Sequence, residues 1–180
     1  MSFPFVSSVK EIESAIQSGD DVNKQSSRGD TALYILSQQN DKESVQKLLS
    51  LGEINVNIQN TFKDTSFYVA AYQDKFNAFF EMLKDARVDI NLPNYVGWSP
   101  LMIATYYSNK KIIQYLLSFG RKVDFDKLSV GVDAEIKVNS SAMDIAKKRK
   151  DTALIELFTN YKKNPKETQT SLRNLNSLQG

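Results

Sequence analysis

Short apolar clusters recur along the chain at a fixed interval, and each follows a hydroxyl residue. The clusters after Thr31, Thr65 and Ser99 begin 34 residues apart, and a fourth follows Ser141, 42 residues later. Each interval holds a second cluster, such as that at 45–49, whose spacing gives one buried helix face. The pattern predicts two short helices per unit. Because each helix pair buries little area alone, the units must stack into a solenoid.

The polar residues between the clusters suit helix starts. The hydroxyl that opens each unit can accept a hydrogen bond from the first turn of a helix. Pro100 falls at the first helical position, where its missing N–H costs nothing. Each second helix is preceded by a side chain that can cap it, and these are Asp41, Asp74 (one place earlier than the others), Asn109 and Asp151.

Two recurring boxes resemble those of a known repeat. Residues 99–104 read Ser-Pro-Leu-Met-Ile-Ala, and residues 45–49 read Val-Gln-Lys-Leu-Leu, followed by Gly52 and then Asn57. They resemble the Thr-Pro-Leu-His-x-Ala-Ala and Val-x-x-Leu-Leu-x-x-Gly-Ala boxes of the ankyrin repeat, which are specific when they recur. The resemblance implies an all-α solenoid of helix-turn-helix units with β-turn fingers.

The resemblance also suggests domain boundaries. We expect one ankyrin-repeat domain over residues 1–161 and a flexible polar tail over 162–180. Within the domain we expect a half repeat at about 8–25, repeats at about 26–59, 60–93 and 94–126, and a terminal repeat at about 127–161 that carries an insertion at 128–140.

Two departures from the family pattern bear on stability. The histidine of the first box is replaced in every unit, so the resemblance implies that its hydrogen bonds between repeats are lost. The replacements are Tyr34, Tyr68, Met102 and Asp144. Lys63 stands where the turn usually has Gly, and a left-handed residue there is strained. We expect an array less stable than a consensus one.

The insertion and the tail each have two interpretations. Apolar residues alternate with others over 130–138, which predicts a strand and an extended β-hairpin near 123–140. This hairpin is either a tolerated surface insertion or an arm that contacts a partner. The tail is too polar to offset its ordering entropy. Its leucines at 172, 175 and 178 leave a short docking helix as the alternative.

The resemblance also indicates where a partner binds. Ankyrin proteins commonly use the concave face, formed by turn tips and the exposed end of each first helix. The positions carried over include Asp30 of unit one and Asp64 of unit two. Those that we expect to bind the partner are Phe62, Tyr72, Tyr95, Val96, Trp98, Tyr106, Tyr107, Lys148 and Arg149. We expect the aromatic members to face solvent as hot-spot anchors, with the two cations as an electropositive rim. The alternative is that some rings turn inward.

The amino-acid composition argues against several classes of function. The chain has no Cys and no His, and its net charge is +2. Thiolate chemistry and the commonest general base are therefore absent, and we expect no catalytic residue, metal or cofactor. No stretch reaches the roughly 18 apolar residues of a membrane span, and no secretory signal is apparent. We expect a cytoplasmic monomer that is not an enzyme and binds an unidentified protein or peptide.

Two other functions stay open at this stage. The C-terminal third is basic, with a run at 147–150, so nucleic-acid binding is an alternative, although a solvated helix end explains the run equally well. A dedicated inhibitor or immunity-type partner of one enzyme is a subclass of protein binding that the sequence does not separate from a scaffold.

Overall fold

The computed structural model describes residues 3–130 and 139–177. All regular elements within these ranges are α-helices. They are α1 (Val9–Gln17), α2 (Ala32–Gln39), α3 (Lys42–Leu49), α4 (Ser66–Tyr72), α5 (Phe76–Lys84), α6 (Pro100–Tyr106), α7 (Lys110–Ser118), α8 (Ala142–Lys148), α9 (Thr152–Lys163) and α10 (Pro165–Ser177).

The helices stack in two rows. The first helices of successive units, α2, α4, α6 and α8, pack side by side as an inner row. The second helices form the outer row, in which α1, α3, α5 and α7 follow one another. Each inner helix also packs on the outer helix of its own unit. The predicted all-α solenoid is confirmed.

Helix capping follows the prediction for the inner row. The hydroxyls of Thr31, Thr65, Ser99 and Ser141 each accept a hydrogen bond from the backbone three residues on, at 3.0 to 3.3 Å. Pro100 is the first residue of α6, as expected.

The outer row follows the prediction only in part. Asp41 and Asp151 cap α3 and α9. Asp74 instead adopts a left-handed conformation with φ 54°, and the first turn of α5 is capped by Asn40 of the preceding unit, whose Oδ1 accepts from the Ala78 N–H at 3.1 Å. Asn109 turns its amide toward the Ala71 carbonyl, at 2.7 Å. Asn40 and Asn109 therefore make contacts between neighbouring units, whereas the sequence pattern predicted that each outer helix is capped from within its own unit.

In the turn before each inner helix, the residue two places before the capping hydroxyl residue has a left-handed conformation. The φ values are 79° at Gly29, 57° at Lys63, 80° at Gly97 and 62° at Asn139. Lys63 therefore takes the strained conformation that its position predicted. Glycine is required where the next finger is close, because a Cβ at Gly29 would lie 2.9 Å from Cα of Asn60.

The turns form fingers that stack along the array. We number them by unit: finger one is residues 26–30, finger two 60–64, finger three 94–98, and finger four begins at 129 and ends at 140. One backbone hydrogen bond joins each finger to the next, from Thr61 N to Arg28 O, from Tyr95 N to Phe62 O and from Val130 N to Val96 O, at 2.9 to 3.0 Å. The finger tips are thus held in register.

The predicted insertion at 128–140 overlaps finger four. Two backbone hydrogen bonds close its base, from Ser129 N to Ser140 O at 3.0 Å and from Asn139 N to Ser129 O at 2.8 Å. The predicted β-hairpin is not supported, because residues 123–130 and 139–140 contain no strand. The remaining part of that prediction, residues 131–138, lies outside the described residues.

The C-terminal segment differs from the flexible tail expected over 162–180. Residues Pro165–Ser177 form α10, which packs against α7 and α9. Leu172 is buried in this contact, and polar groups complete it: Arg173 Nε donates to the Ser118 carbonyl at 2.7 Å, and Asn176 Nδ2 donates to Ser118 Oγ at 3.1 Å. Because polar contacts hold this helix, composition alone underestimated its order. The alternative of a docking helix describes it better, although Leu175 stays exposed.

Candidate partner-binding cleft

The second and third fingers and the inner helices α4 and α6 enclose a cleft of about 450 Å³. This volume is in the range of sites that take a ligand or a side-chain anchor. Its lining is dominated by aromatic rings and consists of Asp64, Tyr68, Tyr72, Asn94, Tyr95, Val96, Trp98, Ile103, Tyr106 and Tyr107.

Four rings form a continuous chain along the cleft. The centroids of Tyr72 and Tyr107 are 5.1 Å apart, those of Tyr107 and Tyr106 are 5.1 Å apart, and those of Tyr106 and Trp98 are 5.2 Å apart. These separations are typical of tilted and edge-to-face aromatic pairs, which orient one another. The rings are therefore positioned before any partner arrives.

Most of the predicted aromatic residues face solvent. Tyr72, at the end of α4, is 40% exposed, and Tyr107, just after α6, is 48% exposed. At the finger tips, Phe62 is 48% and Tyr95 is 61% exposed, and their centroids lie 6.4 Å apart. The hydrogen bond from Tyr95 N to Phe62 O explains why these two tips are neighbours.

Trp98 corrects the expectation that every ring of the set faces solvent. It is only 3% exposed, and its indole packs edge-on against Tyr106. Val96 and Tyr106 are intermediate in exposure. Trp98 precedes the capping Ser99, and this place in the turn directs a side chain inward under the finger. Its indole Nε1 is buried and has no hydrogen-bond partner among the described residues.

The two predicted cations lie at the end of α8, and both are exposed. The guanidinium of Arg149 lies 5.1 Å from the centroid of the Tyr106 ring, in a cation–π contact. Arg149 is therefore joined to the chain of rings, whereas Lys148 lies on the last turn of the helix. An electropositive edge accordingly borders the cleft at its terminal-repeat side.

Asp64 is the one carboxylate among the described residues that line the cleft; its position was carried over to the concave face, but it was not among the residues expected to bind the partner. It is half-buried, and its Oδ1 has no hydrogen-bond partner within the described part of the chain. Burial raises the pKa of Asp64 to about 6; the nearby Asn94 amide lowers it in part, and the charge of Asp30 raises it.

Comparison with known families matches the repeat geometry. The family model for ankyrin repeats, in three copies, matches residues 33–129. The chain belongs to the ankyrin-repeat family. A comparison with curated proteins found no match. Ankyrin repeats are in general protein–protein interaction modules, and the family is typically non-enzymatic.

Tyr68 corrects the expectation drawn from the missing ankyrin histidine. It occupies the histidine position of the first box in repeat two, and its hydroxyl accepts a hydrogen bond from Asn94 Nδ2 of the next repeat at 3.0 Å. Burial, followed by the charge of Asp64, raises the pKa of Tyr68, so the phenol stays neutral. A tyrosine therefore restores a bond between repeats two and three.

Sequence reasoning placed Asp64 on the concave face but did not select it as a binding residue, and it missed Tyr68, Asn94 and Ile103 as lining residues of this ankyrin cleft. A usable signal existed for Tyr68, because it replaces the box histidine. Asn94 opens finger three, and no feature of its own repeat indicates that its side chain reaches back to Tyr68.

Two other kinds of site, a metal site and a membrane-spanning helix, are absent from the described residues of the ankyrin domain. Over residues 3–130 and 139–177, no three Asp or Glu side chains are placed to hold a metal ion. In the same ranges every helix is too short or too polar to cross a bilayer.

Proposed function

We propose that this ankyrin-repeat protein binds a partner protein or peptide in its concave cleft, through the exposed rings of units two and three. The observation that carries the proposal is the chain of rings from Tyr72 to Trp98, which opens to solvent at Tyr72 and Tyr107. Contiguous exposed aromatic surface of this kind marks contact sites on proteins.

The rings have different roles in this proposal. Tyr72 and Tyr107 present accessible faces, so they are the anchors that a partner covers. Trp98 and Tyr106 support them from below and hold their orientation. Tyrosine anchors bury a large area while freezing few torsions, which is why such residues dominate binding energies at interfaces.

The finger tips extend this surface. Phe62 and Tyr95 project from adjacent fingers that a backbone hydrogen bond fixes relative to each other. Val130 of finger four is 69% exposed, and its N–H is bonded to Val96 of finger three. The base of the insertion therefore continues the row of apolar tips, which supports the interpretation of the insertion as part of the contact surface.

Lys148 and Arg149 form the rim of the proposed interface. The charge of Arg149 lies beside Tyr106, where an acidic group of the partner would be attracted. Because these side chains are exposed, we expect the rim to contribute mainly to the association rate and to its salt dependence.

The test uses the full-length protein and a partner identified by affinity capture from its host. We expect Tyr72→Ala combined with Tyr107→Ala to weaken the measured affinity by roughly tenfold to a thousandfold, as truncation of interface anchors does. Phe5→Ala is the matched control, because Phe5 is 63% exposed and is remote in sequence from the cleft-forming repeats. Equal affinities of the double variant and the wild type would refute the proposal.

Nucleic-acid binding through the basic C-terminal third has less support. Arg149 lies on Tyr106, Lys162 pairs with Asp126 at 2.7 Å, and Arg173 donates to the Ser118 carbonyl. Several of the cations thus already have protein partners. Filter binding at low and moderate salt separates the two functions, since phosphate contacts weaken steeply with salt.

A further inference from the structure

The carboxylate of Asp64 is incompletely satisfied by its own protein. The buried Oδ1 accepts no hydrogen bond from the described residues, and none of the ion pairs formed there involves Asp64. A half-buried carboxylate with one unpartnered oxygen costs folding free energy, because water is excluded from that oxygen and no donor replaces it.

The groups that face Asp64 are neutral or acidic. Tyr34 on α2 and Tyr68 on α4 lie near it, and Asp30 of finger one adds a like charge. Asn60 Oδ1 accepts from the Asp64 backbone N–H at 3.0 Å, and the amide of Asn94 lies near the carboxylate. Burial raises the pKa of Tyr34 to about 12, so this phenol stays neutral near pH 7. Within the described part of the chain, the negative charge of Asp64 is therefore not paired with a cation.

The tyrosine rings that line the cleft together with Asp64 are suited to hold a cation. Tyrosine faces attract ammonium and guanidinium groups through the ring quadrupole. The same chain of rings already holds one such group, because Arg149 lies 5.1 Å from the Tyr106 ring centroid. Arg149 occupies the terminal-repeat end of the cleft, whereas Asp64 belongs to finger two. The two ends of the cleft therefore differ in charge.

We propose that the cleft recognises a basic side chain of the partner, lysine or arginine, whose cationic group pairs with Asp64 while its aliphatic stem packs on Tyr72 and Tyr107. This inference rests on the proposed function and specifies the chemistry of the bound segment. The buried Trp98 Nε1 is a second polar atom of the lining without a partner in the described residues, and it is a suitable donor to a backbone carbonyl of that segment.

The charge difference also fixes an orientation. A basic residue is attracted to the Asp64 end and repelled by Arg149 and Lys148. An acidic or neutral residue is preferred at the other end. A bound segment therefore has one favoured direction along the cleft, which a purely apolar groove would not impose.

The test compares two short peptides that differ only in charge. One is a capped pentapeptide with a central arginine between glycines, and its twin carries citrulline, which has the same shape without the charge. Binding to the full-length protein is followed through the NMR signal of the indole N–H of Trp98, the only tryptophan in the chain. We expect the wild type to bind the arginine peptide roughly tenfold or more tightly than the citrulline peptide.

Two variants locate the effect. Asp64→Asn should erase the preference for arginine. Asp30→Asn is the matched control, since Asp30 holds the same place in finger one and its Oδ1 accepts from Asn60 Nδ2 at 2.9 Å; this variant should keep the preference. The affinity of the wild type for arginine should also fall as the pH drops through about 6, where Asp64 becomes protonated and loses its attraction for a cation.

The possible outcomes separate this inference from the proposed function. Equal binding of the two peptides, no binding of either, or an unchanged preference in Asp64→Asn would overturn the role of Asp64. If the host partner still requires Tyr72 and Tyr107 in that case, the proposed function stands without it. If instead the arginine preference depends on Asp64 but the partner binds the Tyr72 and Tyr107 double variant normally, the proposed function fails.

Discussion

Fingers one and two carry an aspartate at the same place, one residue before the capping threonine. In finger one, Asp30 accepts from Asn60 Nδ2 at 2.9 Å and lies 3.7 Å from Arg28 Nε. In finger two, the corresponding donor Asn94 gives its Nδ2 hydrogen bond to the Tyr68 hydroxyl, and Asp64 Oδ1 has no donor among the described residues.

The difference comes from the neighbouring unit and not from the backbone. Both aspartates follow a residue with positive φ and precede the capping threonine. Both fingers are also hydrogen-bonded to the next finger. Asn60 of the next finger and the local Arg28 satisfy Asp30, whereas no described side chain donates a hydrogen bond to Asp64 Oδ1. A repeat protein can therefore keep one scaffold and change a single neighbour to turn a structural aspartate into a binding group.

The largest expected effect concerns finger three, where Trp98 takes the aspartate's place. Trp98→Ala should lower the free energy of unfolding by about 3 kcal/mol, because it removes a ring that is almost fully buried against Tyr106. Urea unfolding followed by circular dichroism measures this. A loss below about 1 kcal/mol would mean that the ring is not part of the core, and Trp98 would return to the exposed anchors.

The next effect tests the satisfied aspartate. Asp30→Ala should destabilise the fold by about 1–2 kcal/mol, because Asn60 Nδ2 then loses its acceptor in a buried position. The same denaturation experiment applies. Should Asp30→Ala prove neutral, the contrast between the two fingers would lose its energetic basis.

A smaller effect of opposite sign is expected for the unsatisfied aspartate. Asp64→Asn should stabilise the protein by about 1 kcal/mol at pH 7, a value reduced from the full pKa shift because the group is only half-buried. The folded-state pKa lies above the ordinary value of 3.8, so the charged form costs stability above about pH 6 and the neutral form does not.

The pH dependence provides the check on that substitution. As the pH falls from about 6 toward 4, the folded protein takes up its proton first, and the wild type should approach the stability of Asp64→Asn. Thermal melts of both proteins at pH 4 and pH 7 measure the gap. A gap that widens toward pH 4 has the wrong sign for a raised pKa and would argue that Asp64 is satisfied in solution.

The smallest effect concerns the turn residue beside this aspartate. Lys63→Gly should stabilise the fold by about 0.5–1 kcal/mol, since Lys63 adopts φ 57° where fingers one and three have glycine. Gly29→Ala is the counterpart and should destabilise, because its Cβ would lie 2.9 Å from Asn60 Cα. A destabilising Lys63→Gly would indicate that the lysine side chain makes a compensating contact.

The sequence predicted the features that arise within one repeat. The 34-residue spacing, the hydroxyl caps and Pro100 depend on local hydrogen bonds and on helix periodicity, and the structure confirms them. Exposure at the chain of rings was only partly predictable. Tyr72 and Tyr107 are exposed, as the family positions predicted, but the burial of Trp98 depends on how Tyr106 packs against it.

The features that escaped prediction depend on contacts between units. Asp64 Oδ1 has no donor among the described residues, and Asn94, 30 residues later in the chain, gives a hydrogen bond to the Tyr68 hydroxyl. Helix α10 is ordered by bonds from Arg173 and Asn176 to Ser118, which a polar composition hides. The Tyr68 hydroxyl likewise restores a bond between repeats that the missing histidine suggested was lost.

The most direct test of the central claim is a footprint of the bound partner by hydrogen–deuterium exchange or NMR. The account predicts protection or shift changes at fingers two and three and around Tyr72, Tyr106 and Tyr107, with the outer helices α3, α5 and α7 unchanged. A footprint confined to the outer row or to α10, with the cleft unaffected, would contradict the account.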